Sequence, residues 1–105
     1  MVKVYVPIDS TALSLGAERT AKKIIQEAQA RGVDITLVRN GSRGLFWLEP
    51  LVEIETAQGR VAFGPVQPSD VLSLFEAGFT DALSDSARAH PLYLGLADEL
   101  AWLKK

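Results

Sequence analysis

The chain has 105 residues, of which 48% are apolar and 23% charged, with a formal net charge of −2. That length supports one self-sufficient core and is too short for two domains; the apolar share argues against disorder, and the acidic balance against a strongly basic nucleic-acid module. Cysteine is absent and His90 is the single histidine, which excludes disulfides, thiolate metal centres, cysteine nucleophiles and histidine metal clusters.

No run of about 20 apolar residues is present to form a helical membrane span. The N-terminus lacks the basic-then-apolar layout of a secretory signal. Val2-Lys3-Val4-Tyr5-Val6-Pro7 is β-branched and aromatic and predicts a strand, with Val2, Val4 and Val6 on one face. A polar loop with Asp9, Ser10 and Thr11 follows. Between Ser14 and Arg31, Ala17, Ala21, Ile24, Ile25 and Ala28 recur at helical spacing. They predict an amphipathic helix ended by Gly32. Residues 33–38 predict a second strand, and strand, helix and strand with short joints read as a right-handed βαβ unit. Residues 40–50 form a loop with two glycines, a proline and the adjacent aromatics Phe46 and Trp47.

Residues 51–56 and 60–64 alternate apolar and polar around Gln58-Gly59. A two-residue hairpin loop there places Ile54 opposite Phe63, with Gly59 as the residue tolerating positive φ. Gln67-Pro68-Ser69-Asp70 starts a second helix, because proline suits its first position and Asp70 suits its positive end. Val71, Leu72, Leu74 and Phe75 form the apolar face of that helix, and Gly78 ends it. Residues 79–90 are polar and weakly patterned. Residues 96–103 predict a third helix with Leu96, Leu100 and Leu103 on one side. The expected fold is α/β and thioredoxin-like: β-α-β, then a β-hairpin, then α, in a four-stranded mixed sheet with flanking helices.

Several side-chain groups invite a chemical reading. Glu53 and Glu55 share one strand face, as an acid/base pair would, or as the solvated face of a hairpin. Ser10 or Ser42 with His90 would be the parts of a small hydrolase, although no orienting third group is evident. Gly41-Ser42-Arg43-Gly44 offers backbone amides to a phosphate, yet no Gly-Lys-Ser/Thr follows as in a Walker loop. Arg19, Lys22, Lys23, Arg39 and Arg43 would make either a basic patch or a solvated helix face, and no stacking platform for bases accompanies them. Phe46 and Trp47 read either as an exposed partner anchor or as a plug beneath the loop.

The stretch from Val38 to Gly78 resembles the thioredoxin-like ferredoxins, which include the small two-iron two-sulfur subunit of NADH dehydrogenase-type enzymes. The resemblance rests on Asn40-Gly41-Ser42-Arg43-Gly44-Leu45-Phe46, Glu49-Pro50-Leu51-Val52-Glu53-Ile54 and Gly64-Pro65-Val66-Gln67-Pro68-Ser69-Asp70-Val71. On this register two of the family's cluster cysteines fall at Ser42 and Phe46, and the other pair falls between Ile8 and Leu13. Four thiolates hold such a cluster, and all four are missing here. The resemblance therefore carries no cofactor and no ligand position to this chain.

Nearly the whole chain is similar to the N-terminal domain of the β subunit of NAD-dependent formate dehydrogenase. The similar wording is Val6-Pro7-Ile8-Asp9-Ser10-Thr11-Ala12-Leu13-Ser14-Leu15-Gly16-Ala17, the loop from Val38 to Pro50, and His90-Pro91-Leu92-Tyr93-Leu94-Gly95. In that family formate is oxidised at a molybdenum or tungsten centre on another subunit, and electrons reach NAD through iron–sulfur clusters and flavin. The resemblance implies a fragment of a longer cytoplasmic chain. A thioredoxin-like domain over residues 1–88 would be followed by a linker or helix over 89–105, leading toward a flavin-binding domain. FMN, iron–sulfur clusters, NAD and the molybdenum cofactor would belong to the parent complex and none to this segment. Its implied role is non-catalytic assembly, contacting the flavin domain and other subunits through Gly41, Arg43, Phe46 and Trp47, with neither nucleic acid nor membrane as partner. The alternative is a stand-alone thioredoxin-like protein-binding module without redox activity.

Overall fold

The computed structural model describes residues 2–7, 14–40 and 50–99. The first strand, β1, covers Val2–Pro7, and the first helix, α1, covers Ser14–Arg31, both as the periodicity predicts. Ala17, Ala21, Ile24 and Ala28 form the buried stripe of α1. The small residues among them let the helix lie close to the sheet. At its end the Gly32 N–H donates to the Gln29 carbonyl at 3.3 Å and the Val33 N–H to the Ala28 carbonyl at 2.9 Å. This is a Schellman cap, and Gly32 takes the φ of 67° that it requires. Because the cap uses Val33's amide, the second strand, β2, starts later than the sequence suggests, at Ile35–Asn40.

A hairpin follows, with β3 at Val52–Thr56 and β4 at Gly59–Phe63. Its register differs from expectation by one residue in the loop. Thr56 pairs with Gly59, so Ile54 faces Val61, and Phe63 faces Val52. The Thr56 hydroxyl accepts the Gln58 N–H at 3.1 Å and donates to the Gly59 carbonyl, which makes Ala57 and Gln58 the turn. Gly59 does carry positive φ, at 115°.

A 3₁₀ turn at Pro68–Asp70 leads into α2, Val71–Glu76. The Asp70 carboxylate accepts the Gln67 N–H at 2.9 Å, as a capping box does. Val71, Leu74 and Phe75 face inward, whereas Leu72 is 45% exposed and leaves the apolar face predicted for it. Gly78 and Phe79 repeat the cap of α1, donating to Phe75 and Leu74. The segment read as weakly patterned buries Phe79, Ala82 and Ala87 and contains a short helix, α3, at Asp85–Arg88, capped by the Ser84 hydroxyl.

The largest departure comes next. Tyr93–Leu96 forms a fifth strand, β5, paired antiparallel with β4, where the leucine spacing suggested that a helix begins at Leu96. Residues 97–99 form a 3₁₀ turn, and residues 100–103 of the expected helix lie outside the described residues. The sheet is thus five-stranded, in the order β2-β1-β3-β4-β5, with β1 and β2 parallel and the other pairs antiparallel.

The main core lies between α1, α2 and one sheet face, built from Val4, Val6, Ile24, Val52, Ile54, Val61, Phe63, Leu74 and Phe79. Phe63 meets the rings of Phe79 and Tyr93 edge-on, each at 5.8 Å between centroids. Thr20 is buried, and its hydroxyl donates to the Val66 carbonyl at 2.9 Å, tying α1 to the segment before α2.

Candidate functional site

Parallel pairing brings the carboxyl ends of β1 and β2 together at Pro7 and Asn40. Ligand sites of open α/β sheets gather outside such strand ends. Arg39 clamps this end. Its Nε donates to the Val6 carbonyl at 3.0 Å and its Nη2 to the Pro7 carbonyl at 2.9 Å. The same Nη2 pairs with Glu18 on α1 at 2.8 Å, and this hydrogen bond and charge hold the Glu18 carboxyl below the ordinary carboxylate range. Arg39 therefore braces the strand ends and is not part of an open basic patch, while Arg19 and Lys22 stand exposed on α1.

The predicted partner residues Gly41, Arg43, Phe46 and Trp47 lie outside the described residues, as do Ser10 and Ser42. The flanks of their loop are described. Asn40 ends β2 in register with Pro7, and the Pro50 carbonyl accepts the Val66 N–H at 2.9 Å. Leu51 is buried beside Ala62 and Ala97, with Leu94 packed against them.

That small cluster lies on the sheet face opposite the main core, and it changes the reading of the paired carboxylates. The face is partly covered: Glu53 is only 2% exposed, where a solvated hairpin face was expected. Arg60 Nη1 lies 3.7 Å from Glu53, and the guanidinium stacks 3.8 Å from the centre of the Tyr5 ring. The Tyr5 hydroxyl donates to Glu55 at 2.7 Å. That hydrogen bond, aided by burial, raises the Tyr5 phenol above its ordinary value, with Arg60 opposing. Each carboxylate thus engages a donor or cation of its own. Such an arrangement fastens β1, β3 and β4 together.

His90 is also committed. The Leu92 N–H donates to its Nδ1 at 3.0 Å, so the ring proton sits on Nε2, 3.0 Å from the Ser73 hydroxyl. Ser73 in turn donates to the Asp70 carbonyl at 3.0 Å. Donation runs from the imidazole to the serine, the reverse of what a general base requires. The arrangement is a clasp between α2 and the chain entering β5. Ser73 carried no signal in the sequence, because it lies 17 residues from His90; the turn His90-Pro91-Leu92 was the available local hint.

Among the described residues no three histidine, cysteine, aspartate or glutamate side chains gather to hold a metal ion. Nor is any helix among them long and apolar enough to cross a membrane.

No protein family matches the sequence, and no curated protein matches it. Solved structures of the thioredoxin-like two-iron two-sulfur ferredoxin from Aquifex aeolicus do share its architecture. The wild-type ferredoxin superposes with a TM-score of 0.68 at 14% identity, over 90% of this chain and 97% of that one. A cysteine-to-serine variant gives 0.68 at 15% identity, over 90% and 99%. Another such variant gives 0.58 at 16% identity, again over 90% and 99%. The fold is therefore thioredoxin-like. The cluster named for those ferredoxins does not fit here. Cysteine thiolates hold such clusters, this chain has no cysteine, and both nitrogens of its one histidine are taken.

Proposed function

We propose that this chain is a cluster-free, ferredoxin-type assembly domain of an electron-transfer oxidoreductase. More narrowly, we assign it to the flavin-containing, NAD-reducing β subunit of a cytoplasmic NAD-dependent formate dehydrogenase, whose complex oxidises formate to CO₂. The supporting observation is a thioredoxin-like ferredoxin architecture across 90% of a chain without cysteine. Such a scaffold is left with packing and recognition as its work. The sequence wording of the loop and of the segment after His90 narrows the assignment to the formate dehydrogenase family.

In this reading the described residues form a rigid mount. Arg39 and Glu18 brace the strand ends where the loop of Gly41, Arg43, Phe46 and Trp47 departs, and the adjacent aromatics supply the anchor for the neighbouring flavin domain or subunit.

The test is the native open reading frame. The proposal expects it to continue past Lys105 into a glycine-rich flavin loop and a Cys-x-x-Cys-x-x-Cys motif. A stop codon at that point would remove the dehydrogenase assignment and leave the stand-alone binding module.

A further inference from the structure

From Arg88 to Leu96 no residue is fully buried, yet the core beneath this segment is closed. Phe63 and Phe79 are both 0% exposed, and their rings meet edge-on. Tyr93 lies against Phe63 from the other side, 5.8 Å between ring centroids. A half-exposed segment thus seals a fully buried aromatic pair.

The covering segment has a defined start and end. Ala89 caps α3, and the Tyr93 N–H donates to the His90 carbonyl at 3.0 Å, which closes a turn over residues 90–93. At the other end, the pairing of β5 with β4 slips between Ala62 and Phe63, setting Tyr93 apart from the pairs that Gly95 and Leu96 make with Ala62 and Val61. Gly95 has a φ of 101° and nothing within 4 Å of its Cβ position, so the backbone there has the wide freedom of glycine. The turn is fastened at Gly64, whose N–H donates to the Leu92 carbonyl at 3.0 Å, and at Ser73, whose hydroxyl lies 3.0 Å from His90 Nε2.

We propose that residues 90–94 form a flap, hinged at Ala89 and Gly95 and latched by His90 on Ser73, which opens as a unit without global unfolding and uncovers the Phe63 ring. Segments with irregular pairing and little fully buried surface open at a lower free energy than the core around them. His90 couples the fastenings of the flap. Its Nδ1 holds the Leu92 N–H at 3.0 Å while its Nε2 reaches Ser73 on α2. Once the ring leaves Ser73, the turn that carries the Leu92 carbonyl is released from α2 and parts from Gly64. The proposal does not depend on the dehydrogenase assignment.

Native-state amide exchange of the 105-residue chain, read residue by residue by NMR, tests it. Gly64 reports from the fixed side of the flap and Leu92 from the moving side. Both should show protection factors at least about tenfold lower than the amides of the central strand β3, and low urea should leave them unchanged. Ile24 is buried on α1, which packs over β1 and β2 at the far side of the sheet. Ile24→Val should therefore lower protection in β3 about twofold to tenfold and leave Gly64 and Leu92 as they were. Ser73→Ala should lower protection at Gly64 and Leu92 by about threefold to tenfold. Protection at Gly64 that matches β3 and follows it in Ile24→Val would overturn the proposal, because the flap would then open only with the whole fold. Gly64 and Leu92 unmoved by Ser73→Ala would overturn it as well, because His90 would then latch nothing.

Discussion

Arg39 joins three elements with one side chain, because its planar guanidinium presents donors in several directions at once. Replacing it with methionine keeps most of the stem and removes the hydrogen bonds to Val6 and Pro7. Bonds to a charged donor contribute roughly 1.5–3 kcal/mol each, so Arg39→Met should lower the urea midpoint clearly. Its pH signature follows from Glu18. A carboxyl depressed in the folded state stabilises the protein above its unfolded value of 4.5, and that contribution fades as pH falls through the folded value. Melting curves between pH 7 and pH 3 should therefore show a steeper acid loss in the wild type than in Arg39→Met. Tyr5 works in the opposite direction. Its raised phenol contributes fully below the ordinary value of 10.0, and the contribution is lost as pH rises through the folded value. Tyr5→Phe should melt lower than wild type at neutral pH and lose less stability in alkali.

At the scale of elements, two helix ends rest on the same left-handed glycine cap. Gly32 has open space around its Cβ position, so Gly32→Ala tests backbone strain alone and should cost about 1–2 kcal/mol in urea unfolding. Phe63 is fully buried opposite Val52 of β3 and against the rings of Phe79 and of Tyr93 in β5, and Phe63→Ala should cost about 3–5 kcal/mol, a large share of a total near 5–15 kcal/mol. These elements also show what a sequence can express. α1 was legible at both ends because its apolar period and its glycine stop are local signals. β2 was displaced because the cap consumes Val33's amide, and the hairpin loop moved because the Thr56 hydroxyl selects the turn. β5 was missed for a different reason. It is a short edge strand containing glycine, and pairing with β4 defines it against a competing leucine period. The candidate site was only half legible. Alternation placed Glu53 and Glu55 on one face, but the burial of Glu53 and its ion pair with Arg60 arise only in the folded sheet. The His90 clasp likewise joins residues that no local pattern links.

For the molecule as a whole, the chain combines a ferredoxin-like architecture with the absence of the sulfur ligands that such a cluster needs. Its one histidine and its paired carboxylates are engaged in fastening elements to one another. Both features accord with the assembly role proposed above. The most direct test is to tag the native protein in its own cells, isolate it gently, and assay the eluate for formate-dependent reduction of NAD. The account predicts that this activity co-purifies, and that Trp47→Ala reduces the amount recovered without lowering the expression of the tagged chain. An eluate without formate-dependent NAD reduction, from cells whose unbound fraction retains it, would contradict the account.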